Sequence, residues 1–176
     1  MQKENFQLFA KYNLWMNEKL FAAAAQLSEH DLKQDKGAFF GSVLGTLNHL
    51  MVGDIAWLKR FATEPDTFRS LDSLREMNTP ESLDIQLYDD LEPLQRARQK
   101  LDAAIVSFCD EVSDAQLAEK LSYQNFQGDS YRDQLGLLLQ HLFNHQTHHR
   151  GQLTTLLSQM GVDVGPTDLL VCIREL

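Results

Sequence analysis

The sequence predicts an all-α fold, a four-helix bundle with long connections, on two observations. Four stretches carry apolar residues at helical spacing, and polar connections bearing proline or glycine separate them. Inside the last stretch, four histidines fall within residues 141–149. At 176 residues the chain suits one domain, 1–176, large enough to bury a core without disulfides.

The first helix is expected over Asn5–Leu27, where Phe6, Phe9, Leu14, Leu20 and Phe21 recur and an alanine-rich stretch follows. Ser28 to Phe40, with Asp31, Asp35 and Gly37, reads as a connection with room for one helical turn. Ser42 is a fitting N-cap for a second helix over Val43–Ala62. Val43, Leu47, Leu50, Met51, Leu58 and Phe61 form its apolar side, and Gly45, His49, Gly53 and Ala56 lie on another face. Small residues beside a histidine allow close packing, or leave space for a ligand.

Thr63 to Ser82, with Pro65 and Pro80, is expected to be a surface connection crossing over the bundle. A third helix is expected over Asp84–Val112, with an irregularity at Pro93. Leu121 to Asp129 alternates and turns at Gly128, suggesting a small hairpin or an extended loop. The fourth helix is expected over Arg132–Met160, stopped by Gly161, and Thr167–Glu175 over a short terminal helix or strand covering one end of the bundle.

Acidic residues outnumber basic ones 25 to 16, giving a net charge of −9 that repels a phosphate backbone. Arg96, Arg98, Lys100 and Asp102 mix signs as a solvated helix face does, so no nucleic-acid partner is expected. No apolar run is long enough to span a bilayer, and residues 1–9 lack the pattern of a secretory signal, so the expectation is no membrane partner and a cytoplasmic location. Cys109 and Cys172 lack redox or zinc-pair spacing and read as small core residues.

On a helix, His145 and His149 share a face and can aim at one point about 2 Å from each nitrogen; His141 and His145 can do the same. Spacing alone leaves a second reading open, a solvated polar face with one or two imidazoles bonded in the core. Two ligands from one helix rarely complete a site, and His49 is the natural third, whereas His30 lies in a polar connection. Asp54 could orient a ligand or form a salt bridge. Three neutral imidazoles would leave a divalent ion with open positions, the layout of catalytic sites. Zinc and nickel head the expectation, with iron, copper and manganese behind them.

Tyr12-Asn13-Leu14-Trp15, Gly45-Thr46-Leu47-Asn48-His49-Leu50 followed by Asp54 and Trp57-Leu58, Asn144 to Gln152, and Gly161 to Asp168 together resemble the DinB/YfiT-like family of small bacterial metal-binding bundles. The resemblance spans nearly the whole chain. It implies a metal site of His49, His145 and His149, with Asn48 and Arg150 in supporting roles and His141 and His148 as groups that back the ligands, face a substrate or are simply polar. It further implies a homodimer. A polymerase sharing the family's name is excluded by the short, acidic chain and the lack of a two-metal carboxylate constellation.

Relatives of this type include transferases and isomerases that use low-molecular-weight thiols, and metal-dependent hydrolases. The leading expectation is therefore a metal-dependent transferase or hydrolase acting on a small molecule, with His148, His141 or Asp54 as base. A non-catalytic, stress-associated metal protein and a plain helical interaction bundle are the alternatives.

Overall fold

The computed structural model describes residues 2–63 and 67–175; Pro65, expected to mark the first long connection, lies outside them. Four long helices dominate: α1 (Gln2–Ala24), α3 (Val43–Phe61), α5 (Leu91–Glu111) and α7 (Leu135–Gln159). Shorter elements join them: α2 (Glu29–Lys33), α4 (Asp72–Arg75), α6 (Asp114–Ala118), strands β1 (Lys120–Gln124) and β2 (Ser130–Gln134), and α8 (Leu169–Glu175). Helix α1 lies against α5 and α7, and α3 lies against α7 and α5, so the four close a ring around one apolar core. No helix of the described residues is long and apolar enough to cross a membrane.

Local chemistry sets most boundaries. The Ser42 side chain accepts the Gly45 N–H at 3.0 Å, capping α3 as its sequence position predicts. Helix α7 ends in a Schellman turn: Gly161 takes φ of 78°, Val162 N–H donates to the Leu157 carbonyl and Gly161 N–H to that of Ser158. The hairpin pairs Tyr123 with Tyr131 and Leu121 with Asp133, antiparallel. Because β2 takes up Arg132 to Gln134, α7 starts at Leu135 rather than Arg132.

Three expectations are corrected. Helix α5 starts at Leu91, not Asp84, since Asn48 draws residues 87–88 into a loop: its Oδ1 accepts Leu87 N–H and Tyr88 N–H, each at 2.9 Å. Pro93 then falls in the first turn of α5, where a missing N–H costs nothing and no kink is needed. The connection after α3 is not all surface, because Phe68, Leu71 and Leu74 are buried in the core. The short terminal element is a helix, α8, which sits against α1, with Trp15 Nε1–H donating to Glu175 at 2.8 Å and Tyr12 O–H to the Thr167 carbonyl at 2.6 Å.

Arg98 and Asp102, read from sequence as part of a solvated face, are 2% and 3% exposed. Arg98 bridges Asp54 at 2.7 Å and Asp102 at 2.8 Å. Asp102 also accepts from Asn17 at 2.9 Å and Asn13 at 3.2 Å, while Arg150 donates to the Asn13 side-chain oxygen. Charges this deep persist only when paired and hydrogen-bonded, and this network joins all four long helices.

Candidate metal centre

Three imidazoles converge where α3 meets α7. His49 Nε2 stands 3.0 Å from His145 Nε2 and 3.2 Å from His149 Nε2, and one ring nitrogen from each residue lies within 4.8 Å of the others. Helix α3 is buried nearly all round, which holds His49 at 3% exposure, while His145 and His149 are half-buried. The i, i+4 spacing places the latter pair one turn apart on α7 with ring centroids 4.4 Å apart.

Glycine makes room for the cluster. A Cβ on Gly53 would stand 2.7 Å from His145 Cε1, so the α7 imidazole packs directly on the α3 backbone there. At Gly45 the space goes to a loop instead, because an added Cβ would meet the Phe40 carbonyl oxygen at 2.2 Å. That contact seats the Phe40 ring against His49, with centroids 3.6 Å apart and planes 15° from parallel.

Hydrogen bonds on the far side of two rings decide where the lone pairs point. His49 Nδ1 lies 2.8 Å from the Leu83 carbonyl oxygen, which can only accept, so this nitrogen carries the proton and Nε2 a lone pair. His149 Nδ1 lies 2.8 Å from Gln152 Oε1, and the amide's other end faces His148 Nε2 at 3.4 Å, the orientation in which the amide N–H donates. His149 Nε2 therefore also presents a lone pair. Two acceptors 3.2 Å apart cannot hydrogen-bond to each other, whereas both can bond one cation. Two nitrogens each about 2.0–2.1 Å from one ion lie roughly 3 Å apart when their bonds meet near a right angle, so the donor set fits a divalent metal.

Electrostatics keep the donors neutral. Burial pushes His145 down to about 3, with His149, His49, His141 and His148 adding repulsion. Burial also lowers His49, against the Leu83 bond and the Asp54 charge, and lowers His149, against its bond to Gln152. Neutral imidazole is the form that binds metal.

The remaining predicted residues separate by place. Asp54 is fully buried against Arg98, in the salt-bridge role, and is closed to substrate. Asn48 pins the loop that carries Leu83, donating to the Tyr88 carbonyl at 3.0 Å besides accepting from residues 87 and 88. Arg150 joins the buried network and lies over Tyr12 at 5.1 Å. His148 and His141 are exposed at the rim, His148 edge-on to His149 at 4.8 Å and His141 beside Trp57 at 5.1 Å. His30 is exposed on α2. Sequence reasoning missed Phe40, Gln152 and the Leu83 carbonyl; of these only Gln152, three residues after His149, carried a periodic signal.

These features define a helical protein whose three-histidine group could hold a metal ion. The DinB family model matches residues 1–175, and the chain belongs to that family. It is 28% identical over 165 residues to Protein DinB of Bacillus subtilis (strain 168), an alignment covering 93% of this chain and 90% of that protein. Family and histidine group together fit a metal-binding protein of the DinB type.

Proposed function

We propose that the protein is a metal-dependent enzyme acting on a small molecule, with His49, His145 and His149 holding one divalent ion. The observation that carries this reading is the facing pair of lone-pair nitrogens on His49 and His149, fixed from behind by Leu83 and Gln152. A divalent ion held there supplies Lewis acidity and lowers the pKa of a water molecule or thiol brought to it, which suits hydrolysis or thiol-dependent transfer.

The chain's own groups do the rest. The Leu83 carbonyl and the Gln152 amide hold two ligand rings in one tautomer and orientation, as outer hydrogen bonds do at metal sites. The Phe40 ring covers a face of His49 and keeps water from it. His141 and His148, exposed beside the ligands, are placed to exchange protons between substrate and solvent. Imidazole ligands suit zinc, nickel, copper or iron, and zinc and nickel are the first to test.

The test is elemental mass spectrometry on untagged protein and on His49→Ala, His145→Ala and His149→Ala, with helicity checked by circular dichroism. Near-stoichiometric metal that disappears in all three folded variants supports the site; metal retained in them, or never taken up, overturns it. A non-catalytic reading has one observation in its favour, since the ligands come from two helices that an ion would tie together. Under that reading stripping the metal lowers the melting temperature, and screens for hydrolysis and thiol transfer give no turnover with the loaded protein.

A further inference from the structure

At the C-terminal turn of α3, next to the histidine cluster but apart from it, Arg60 lies among aromatic rings. Its guanidinium carbon is 4.6 Å from the Trp57 ring centre, 5.4 Å from that of Phe126 and 5.7 Å from that of Tyr123. Nε donates to the Gln124 carbonyl at 3.0 Å, which ties α3 to the hairpin. Among the described residues no carboxylate pairs with it. Burial lowers its pKa, and the one influence holding it up is the Tyr123 phenol.

Among the described residues this partly withdrawn cation thus has no anion beside it, which is costly. Arg132, exposed on β2, lines the same open cleft of about 600 Å³. Asp133, next to Arg132 on β2, accepts from the Tyr123 hydroxyl at 3.1 Å. Tyr131, 45% exposed and stacked on Tyr123 at 5.7 Å, gives the cleft an aromatic wall with a free side.

We propose that this cleft binds a small organic anion with a flat apolar body, its oxyanion paired to Arg60 and Arg132 and its body lying along Tyr131. Arg60's planar fork suits carboxylate or phosphate oxygens, and a guanidinium already stacked on rings loses little freedom when it pairs. From the cluster the rings run His145, His141, Trp57, Tyr123, with centroid separations of 6.2, 5.1 and 5.3 Å. The cleft is thus three ring contacts away from the nearest candidate ligand, and an anion held at Arg60 requires no ion there.

Trp57 serves as the reporter once Trp15→Phe removes the other indole, which lies on α1 against Glu175. Benzoate, phenyl phosphate and benzyl alcohol are titrated against Trp57 fluorescence, in metal-loaded and chelator-treated protein. Saturable quenching by both anions in both forms is expected, with none from the neutral alcohol; Arg60→Met should weaken it about tenfold. Arg132→Ala should weaken it several-fold without altering the melting temperature. Benzoate without phenyl phosphate, or the reverse, narrows the anion to a carboxylate or a phosphate and supports the cleft. No saturation with either anion, equal binding in Arg60→Met, or equal binding of benzyl alcohol overturns the proposal. If Arg60→Met fails to fold, Arg132→Glu decides, and unchanged anion binding in it is equally fatal. Binding confined to the metal-loaded form and lost in His49→Ala would place the anion on the ion, which overturns this proposal and leaves the metal reading standing. Failure of metal uptake leaves the Arg60 result unaffected.

Discussion

Gly53 and His145 are fitted to each other: any β-carbon at position 53 would stand 2.7 Å from Cε1 of the imidazole, and 3.6 Å from the Nε2 that faces His49. Alanine is the better helix former by about 0.8–1.0 kcal/mol, so Gly53→Ala should not weaken α3 itself. It should turn the ring and displace Nε2. The metal-free variant is expected to melt no lower than the parent protein by more than a few degrees, while zinc affinity by calorimetric titration drops about tenfold or more. Unchanged affinity would separate His145 from the site.

Asn48 acts at a distance from the ligands. Replacing it with alanine removes the acceptor for Leu87 N–H and Tyr88 N–H and the donor to the Tyr88 carbonyl. Urea unfolding of Asn48→Ala should show a loss of about 2–3 kcal/mol. Asn48→Asp keeps the acceptor but sets a buried carboxylate oxygen against the Leu44 and Tyr88 carbonyls, and should lose at least as much. Zinc should also bind more weakly to Asn48→Ala, because the loop holding the Leu83 carbonyl behind His49 is released.

Arg98 neutralises two buried carboxylates at once. Arg98→Met should cost about 3–5 kcal/mol in urea unfolding, since it strands Asp54 and Asp102 without a cation. Adding Asp54→Asn and Asp102→Asn to that variant should recover part of the loss. No recovery would mean that the packing of the Arg98 stem, rather than its charge, matters there.

Acid should destabilise the metal-free protein through its histidines. His145 titrates near 3 in the folded protein, chiefly through burial, against an ordinary value of 6.5; His49 and His149 are lowered too. Above pH 6.5 both states are neutral at these rings and nothing is lost. As pH falls from 6.5 toward 3 the unfolded chain takes up a proton at His145 that the folded one refuses, so stability declines there by up to about 1.4 kcal/mol per pH unit, and His49 and His149 add in the same direction. Asp102 works the other way: burial raises it from 3.8 to about 6, so over that interval the fold keeps a proton the unfolded chain releases. Urea midpoints of chelator-treated protein between pH 7.5 and 5 measure the sum. His145→Gln should make that dependence shallower, and an unaltered slope would refute the assignment.

Much of the fold was legible because its signals are periodic or local. Ser42 before an apolar run, glycine at 161 after one, and alternation turning at Gly128 each carry a backbone requirement that a reader can recognise. Residues 145 and 149 were legible as a pair for the same reason. The sequence was misread where chemistry and period disagree. Arg98 stands four residues after Leu94 and three before Leu101, in phase with the buried stripe of α5, but mixed charges at helical spacing look the same on a solvated face. A main-chain acceptor such as the Leu83 carbonyl leaves no trace in residue type, and the start of α5 is set by Asn48 of another helix. Neither could be found from local sequence.

The 96 positions separating His49 from His145 bear on how the chain reaches its native state. Contacts so distant along the chain form only after a long loop has closed, so the three nitrogens converge late and the unfolded chain has no preassembled place for an ion. An ion that enters afterwards acts as a clasp on the finished molecule. It slows opening more than it speeds closing, and the lifetime of the loaded protein should exceed that of the stripped one by far more than their refolding rates differ.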